Sequence, residues 1–486
     1  MGAEKNIVAI ELGSSSIRGM LGQRKADGSL HVLGFEKEPV TDWITKGVVH
    51  NYDKTTQAIS SIVKRLEERH KVYVKKAYVG VSGQSLRTVP NKVSKQFDVK
   101  VSISDEIIDS LKDENANQLY PESEILEVLP QEYIVDGRST AEPVGRQADR
   151  IEGQYKNVIA RRTLCQAINR CVTGAKVEVA DVFIAPLFLA GYLLTEAERR
   201  SGCALVDFGA ETTTVAIYEK NILRHLVVLP LGGNNITADI ATLLHVEADE
   251  AEQLKRRYGK AYIEDKGENA TTSNISISGE RHIEESRLRD IIIARQQEIL
   301  ANVWQQIRVY ADRLLAGIVF TGGAAQMSEL ETAFTRLSSF DKKVLTRLMP
   351  TTLGYSTNLK LDTQTNNVAT LVAMLRRGEQ ECTSEIPIEP DLFEDGKPED
   401  DDVPTADTEK AEGVVKVKPD SGEAPKVGTK SDDQTGQDDG TDKAEGGNDT
   451  DSAKESETPQ PKKPSLLNRI WRSFGNMVTE VTDPNK

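Results

Sequence analysis

The sequence predicts an α/β fold made of two related halves. The main observation is a motif that occurs twice: an apolar run ends in an acidic residue, a glycine follows two residues later, and hydroxyl residues lead into a second apolar run. The two copies are AIELGSSSI, from residue 9, and CALVDFGAETTTVAIY, from residue 203. Each is typical of two strands joined by a tight turn. Strand and helix periodicities also alternate along most of the chain, as in layered α/β domains.

The repeated turn has the composition of a phosphate site. Aligned on their glycines, the copies pair Glu11 with Asp207, Gly13 with Gly209, and Ser16 with Thr212. Backbone N–H and hydroxyl groups in such turns can bind a phosphate, and a carboxylate at the strand end can hold Mg²⁺ through water. A single copy would more often be an ordinary β-hairpin. Two copies, each opening one half of the chain, indicate that both face one phosphate-containing ligand.

The negative charge of the chain is concentrated in one tract. The formal net charge is −15 over 486 residues, and residues 394–457 alone contain 21 acidic residues and eight lysines. The balance argues against a general nucleic-acid-binding protein. The four cysteines form no C-x-x-C pair, and neither an export signal nor an apolar run of bilayer length is found. We therefore expect a cytosolic protein with reduced thiols.

The first half is expected to be a sheet with helices packed on it. After the hairpin of residues 6–21, strands are predicted over residues 30–37 and 72–81, and a helix over residues 55–70. Between residues 84 and 162 the pattern changes to long polar strands around a helix at 105–119, with one strand broken at Pro130. We interpret this block as an inserted subdomain. The alternative is that it continues the first sheet.

The second half repeats this order. A strand over residues 176–183 and a helix over 185–195, with Pro186 in its first turn, lead into the second hairpin. Gly232 and Gly233 precede a helix over residues 235–244, which suits an anion site, although a plain turn is as compatible with the local sequence. Further helices are predicted over residues 246–257, 287–315, 327–337 and 367–376. The small residues after the strand at 318–320 would let a flat base lie against the backbone.

The C-terminal region is expected to contain a disordered linker and one amphipathic helix. Residues 386–464 are too polar and charged to bury a core. Residues 465–482 place apolar residues on one helical face beside arginines, which suits an anionic membrane surface. The alternative partner is a protein groove, or the body of the protein itself. The predicted membrane-binding residues are Leu466, Leu467, Arg469, Ile470, Trp471, Arg472, Phe474, Met477 and Val478.

These motifs together resemble the actin/Hsp70/sugar-kinase ATPases and, within them, the FtsA family of bacterial cell-division proteins. LPQEYIVDG at residues 129–137, LGGNNITADIATLL at 231–244 and VFTGGAAQM at 319–327 match that family, as do the insertion after Gly83 and the tail. The resemblance implies an actin-like ATPase fold with four subdomains. These are 1A (residues 1–83 and 163–200), 1C (84–162), 2A (201–244 and 316–385) and 2B (245–315).

The resemblance also implies a ligand and partners. ATP with Mg²⁺ would lie between the halves, and Glu11 and Asp207 would be the metal-side residues. The protein would polymerise, hold the tail of the ring protein FtsZ through subdomain 2B, and recruit later division proteins. Its location would be the cytoplasmic side of the membrane at the division septum. The implied nucleotide-binding residues are Gly13, Ser14, Ser15, Ser16, Asp207, Gly209, Thr212, Thr213, Gly232, Gly233, Glu252, Lys255, Gly322, Gly323 and Ala324.

Several positions depart from the family pattern. The first motif usually begins with Asp and here has Glu11, while Ala210 and Glu211 replace glycines of the second. A β-carbon restricts the backbone there, and a carboxylate beside phosphates is unfavourable unless it points away. Ala185 stands where the family has a glutamate. We therefore expect a scaffold with slow ATP turnover at most; the alternative is an ATPase or kinase with genuine phosphoryl transfer.

Overall fold

Two sheets form the framework of the computed structural model, which describes residues 4–264, 273–279, 281–349, 356–357, 359 and 368–385. The first sheet has six strands. Their order across the sheet is β12 (Glu178–Ile184), β7 (Lys76–Val81), β1 (Lys5–Leu12), β2 (Ser16–Arg24), β3 (Leu30–Pro39) and β20 (Ser356–Thr357).

The second sheet has nine strands and includes strands of the inserted block. Their order is β10 (Arg138–Thr140), β9 (Ser123–Val135), β11 (Gln147–Arg161), β8 (Arg87–Ser102), β15 (Ile222–Leu229), β14 (Thr213–Glu219), β13 (Cys203–Phe208), β18 (Gly317–Thr321) and β19 (Val344–Thr346). Three two-stranded ribbons complete the strands of the described part of the chain: β4 (Ile44–Thr45) with β5 (Val48–Val49), β6 (Tyr73–Val74) with β21 (Thr383–Ser384), and β16 (Asn274–Ile277) with β17 (Arg281–Glu284).

The two halves share one topology. In the first, β1 pairs antiparallel with β2 and parallel with β7, and β12 follows parallel at the edge. In the second, β13 pairs antiparallel with β14 and parallel with β18, and β19 follows in the same way. This duplication confirms the predicted α/β fold with two related halves.

In the described residues, ten α-helices pack around the sheets. They are α1 (Tyr52–His70), α2 (Asp105–Ala116), α3 (Arg162–Gly174), α4 (Ala185–Leu193), α5 (Glu196–Ser201), α6 (Gly233–Leu244), α7 (Ala248–Tyr258), α8 (Glu285–Ile307), α9 (Leu330–Ser338) and α10 (Ala369–Arg377). The helix predicted over 287–315 therefore ends early, and residues Arg308–Arg313 form a 3₁₀ helix instead. The helix predicted from residue 327 begins at Leu330, after a 3₁₀ turn over Gly323–Gln326.

The inserted block has a core of its own and joins the second sheet. Its buried side chains, among them Leu111, Ile151 and Tyr155, form a separate apolar cluster. Strand β8 pairs with β15 through Arg87 and Val227, so the block does not continue the first sheet. Pro130 does not break β9. The register skips one residue beside it, and this bulge accommodates a residue that has no N–H to donate.

The C-terminal part of residues 316–385 was predicted to belong to the second half, but it packs on the first. Helix α10 packs against α4, β1 and β2. Its side chains Leu371, Val372 and Met374 are buried in the core of the first sheet. Six of the nine residues of α10 are apolar, all six are buried, and the first half provides the surfaces that cover them. The predicted linker (386–464) and membrane helix (465–482) lie outside the described residues.

Candidate nucleotide site

A cavity of about 890 Å³ lies between the turns of the two repeated hairpins. Residues from both halves line it, together with α6, α7 and the 3₁₀ turn after β18. The predicted site residues in its wall are Glu11, Gly13, Ser14, Ser15, Asp207, Gly209, Thr212, Gly233, Glu252, Lys255, Gly322, Gly323 and Ala324. The structure thus brings most of the predicted set together around one space.

The two hairpin turns have the same geometry. In the first loop, residues 13–16, the N–H of Gly13 donates to the carbonyl of Ser16 at 3.1 Å. In the second loop, residues 209–212, the N–H of Gly209 donates to the carbonyl of Thr212 at 2.8 Å. The acids preceding them also correspond, because each lies near the end of a central strand. The repeat seen in the sequence is therefore a repeat in three dimensions.

Asp207 lies in an electrostatically unfavourable place for a lone carboxylate. Burial, and secondly the charge of Glu11, raise the pKa of Asp207 to about 6, while Arg18 acts in the opposite direction. A buried carboxylate whose pKa is raised by a neighbouring carboxylate favours a cation beside it. The described residues hold no cluster of three or more His, Cys, Asp or Glu side chains arranged for a metal. A cation here would need water or phosphate oxygens to complete its coordination.

Gly322 brings backbone close to Asp207. Its φ is +94°, a conformation that L side chains rarely adopt, and a β-carbon there would lie 2.3 Å from Asp207 Oδ1. The following residues, Gly323 and Ala324, begin the 3₁₀ turn at the cavity wall. A β-carbon at Gly323 would meet no atom within 4 Å. This segment thus offers an open, flat surface of backbone and small side chains.

A hydrogen-bonded network joins α6 to α7 at one side of the cavity. Thr237 Oγ1 donates to Glu252 Oε2 at 2.6 Å, and Lys255 Nζ donates to Thr237 Oγ1 at 2.8 Å and to the carbonyl of Gly233 at 3.0 Å. Burial opposes ionisation of Glu252, but the hydrogen bonds from Lys255 and Thr237 outweigh it, so its pKa is lowered. The network fixes a charged, polar edge beside the glycine turn.

Three predicted residues lie outside the cavity wall and support it instead. Thr213 is buried, and its hydroxyl donates to the carbonyl of Leu231. Side chains alternate along β14, so the next residue, Thr214, faces the cavity instead. Gly232 donates its N–H to Asn235 Oδ1 at 2.9 Å and so caps α6. Ser16 is buried at the start of β2. The sequence pattern predicted the positions of the two turns but not the direction of each side chain.

The cavity also contains residues that the sequence interpretation missed. Arg18 lies opposite Glu11 across the first hairpin, and its Nη2 is 3.4 Å from Glu11 Oε2. Lys37 lies on the next strand, and burial together with the nearby cations Arg18 and Arg256 lowers its pKa. The signal for Arg18 was available, because in a hairpin around residues 13–16 position 18 faces position 11.

The two halves have equivalent topology and share one cavity. This arrangement is that of the actin-like ATPase fold. Family comparison agrees with this. A model described as "Cell division protein FtsA" matches residues 204–373, and one described as "SHS2 domain inserted in FTSA" matches residues 83–159. The chain belongs to the FtsA family of cell-division proteins. The predicted family, fold class and general role in cell division are thereby confirmed.

Individual relatives support the family assignment, and one solved structure supports the fold. The cell division protein FtsA of Pseudomonas aeruginosa is 29% identical over 331 residues, which cover 66% of this chain and 78% of the relative. That of Porphyromonas gingivalis is 30% identical over 341 residues, covering 68% and 70%. A chain of the PilM-PilN type IV pilus biogenesis complex has a TM-score of 0.51 at 15% identity, covering 76% of this chain and 97% of its own, which supports the fold alone.

In the part of the chain that the structure describes, none of the helices combines the length and apolar character needed to cross a bilayer.

Proposed function

We propose that this protein is a nucleotide-binding scaffold that links the FtsZ ring to the cytoplasmic membrane at the division septum. The observation that carries the proposal is the pair of equivalent loops, 13–16 and 209–212, facing one cavity in a chain of the FtsA family. Paired loops of this kind suit a ligand with several phosphate groups. We assign ATP as that ligand.

Mg²⁺ fits the carboxylates at the loop end of the cavity. Glu11 and Asp207 would hold it. Burial and the nearby charge of Glu11 raise the pKa of Asp207, and a bound cation would offset both effects by stabilising the ionised carboxylate. Bound there, Mg²⁺ would neutralise phosphate charge. The remaining predicted residues divide by chemistry: the loop N–H and hydroxyl groups suit phosphates, and the surface around Gly322 and the Glu252–Lys255 pair suit a base and ribose.

Slow turnover at most is the expected enzymatic behaviour. Ala185 lines the cavity where a carboxylate could have positioned water, and its methyl group can neither accept nor donate a proton. The carboxylate of Glu211 is occupied in a hydrogen bond to backbone. We therefore favour a scaffold whose nucleotide supports polymerisation over an enzyme with efficient phosphoryl transfer.

In this proposal, FtsZ and the membrane bind to regions outside the nucleotide cavity. Subdomain 2B, which contains α7 and α8, would receive the FtsZ tail, and residues 465–482 would lie on an anionic membrane surface. One amphipathic helix binds lipid weakly, whereas a filament presents many copies at once. Self-association would therefore make the tether effective and would provide a platform for later division proteins.

The proposal can be tested by sedimenting the full chain with anionic vesicles, FtsZ and MgATP, while measuring nucleotide binding and hydrolysis. We expect co-sedimentation of FtsZ that depends on this protein, bound ATP, and slow hydrolysis. Deletion of residues 465–486 should release both proteins from lipid but leave nucleotide binding unchanged. Unchanged lipid binding after deletion would refute the tether, and rapid turnover would favour the enzyme.

A further inference from the structure

Glu211, in the second loop, makes a direct contact with the first half at the edge of the cavity. Its Oε2 accepts the backbone N–H of Lys46 at 2.7 Å. Lys46 belongs to the turn between β4 and β5 in the first half, whereas Glu211 lies in the turn between β13 and β14 in the second half. The carboxylate therefore joins the two halves directly beside the loops.

The turn that receives Glu211 is held against the first loop. Lys46 and Gly47 both have positive φ, at 53° and 76°. The N–H of Gly47 donates to Ser14 Oγ at 3.0 Å, and a β-carbon at Gly47 would lie 2.6 Å from the backbone of Gly83. Two consecutive amides thus bring the carboxylate of the second loop and the hydroxyl of the first loop next to each other.

The second oxygen of Glu211 is held from its own half. Asn234 Nδ2 donates to Glu211 Oε1 at 3.5 Å. Asn234 lies in the first turn of α6, and its backbone N–H donates to the carbonyl of Ala210 at 2.6 Å. Glu211 is therefore positioned by partners in both halves, and it does not point away from the cavity, whose wall it helps to form.

The charges at the loop end of the cavity make this position significant. Three carboxylates lie there, Glu11, Asp207 and Glu211, and the facing cations are Arg18 and Lys37. Glu252, on α7, is paired with both Lys255 and Arg256, and Arg256 also lies near Lys37. Glu211 thus adds a negative charge between the two loops, where a chain of phosphates would end. Each additional phosphate charge there is repelled through a medium of reduced dielectric.

We propose that Glu211 is a cross-cleft latch and a specificity-determining residue. By holding Lys46 it keeps the two halves together, and its charge makes the cavity bind a nucleoside diphosphate at least as tightly as the corresponding triphosphate. The selectivity rests on the proposed nucleotide site. The latch is a separate structural contact that needs no nucleotide.

Calorimetric titration of the full chain with MgADP, and with the Mg²⁺ complex of a non-hydrolysable ATP analogue, tests the selectivity. Glu211→Gln retains an oxygen that can accept from Lys46 but removes the charge. It should improve binding of the ATP analogue relative to ADP by about tenfold. Glu142→Gln, a change of the same kind at an exposed position of the inserted block, should leave the ratio unchanged. If the ratio of the two affinities in Glu211→Gln stays within about twofold of the ratio in the unmodified protein, the proposed selectivity is wrong.

Hydrogen exchange at the amides of residues 44–49 tests the latch without any ligand. Glu211→Ala should accelerate exchange at Lys46 while Glu142→Gln does not, and unchanged exchange would overturn the latch. If the unmodified protein binds neither nucleotide, the proposed function fails and the selectivity fails with it. The exchange measurement then decides the latch alone, so the two failures can be told apart.

Discussion

Arg347 forms a bidentate salt bridge with the carboxylate of Glu198. Its Nη1 donates to Oε2 at 3.0 Å and its Nη2 to Oε1 at 2.7 Å, and Nη1 also donates to the carbonyl of Leu193 at 2.7 Å. Glu198 lies in α5, on the segment that connects the first half to β13, while Arg347 follows β19 at the edge of the second sheet. The pair therefore fastens the connection between the halves to the second half.

Glu198→Gln should destabilise the protein by about 2 kcal/mol at pH 7, a value reduced to allow for solvent screening of this partly exposed ion pair. The hydrogen bonds from Arg347 lower the pKa of Glu198 from 4.5 to about 2. A carboxylate with a lowered pKa stabilises the fold above its unfolded pKa, and this contribution is lost as the pH falls from about 4.5 towards 2. Urea unfolding between pH 3 and 7 should show the difference between unmodified and variant protein shrinking on acidification.

Glu196→Gln is the matched control, because Glu196 lies on the same helix in a more exposed pair with Arg200. Its loss should cost less than about 0.5 kcal/mol. Equal destabilisation by the two substitutions would show that the bidentate geometry of Arg347 has no special importance.

Asp207→Asn should stabilise the ligand-free protein at pH 8 by about 2 kcal/mol. Burial and then Glu11 raise the pKa of Asp207 from 3.8 to about 6, so the folded protein binds its proton more tightly than the unfolded chain does. Stability due to this group is full below pH 4 and is lost as the pH rises through about 6. Denaturation at pH 4 and pH 8 should give an advantage for Asn only at the higher pH, and an advantage of the same size at both would contradict the assignment.

Gly322→Ala should destabilise the protein by more than about 2 kcal/mol and impair nucleotide binding. A methyl group at this φ of +94° would collide with Asp207 Oδ1 and with the carbonyl of Phe208, both 2.3 Å away. The neighbouring Gly323→Ala, which meets no atom within 4 Å, should change stability by less than about 0.5 kcal/mol. Thermal unfolding of both variants checks this, and similar melting temperatures would argue against the close approach at Gly322.

Reversing Arg469 and Arg472 to Glu should weaken binding to anionic vesicles by more than about tenfold, with a smaller effect on neutral vesicles. The expectation rests on the sequence of the proposed membrane helix. Lys443 and Lys454 reversed to Glu provide a control with the same charge change in the acidic tract. Vesicle sedimentation measures all three proteins, and equal losses on neutral and anionic lipid would mean that charge attraction is not responsible.

The sequence predicted those parts of the site that depend on local chemistry. The acid, glycine and hydroxyl residues of the two loops lie within a few positions of one another, so their pattern could be recognised and aligned. The equivalence of Gly13 and Gly209 in the structure follows from that pattern. The glycine segment at Gly322 was found for the same reason, because small residues after a buried strand are a local signal.

Contacts between distant segments could not be read in this way. Nothing near Glu211 indicates that its partner is the amide of Lys46, 165 positions away. The placement of α10 in the first half also depends on tertiary packing, since an apolar helix is compatible with either half. Thr213 and Thr214 were equally suitable by composition, and only the register of β14 decides which of them faces the cavity.

The joint between β8 and β15 has a mechanical consequence. The inserted block is covalently continuous with the first half, yet Thr88 Oγ1 accepts the N–H of Leu226 at 3.0 Å, and Val228 donates its N–H to the carbonyl of Leu86 at 3.2 Å. If one half rotates relative to the other, either the pairing between β8 and β15 must distort or the inserted block must rotate as a rigid body. Because strands β8 and β11 are long, a small angular change at the cleft becomes a larger displacement at the far end of the block.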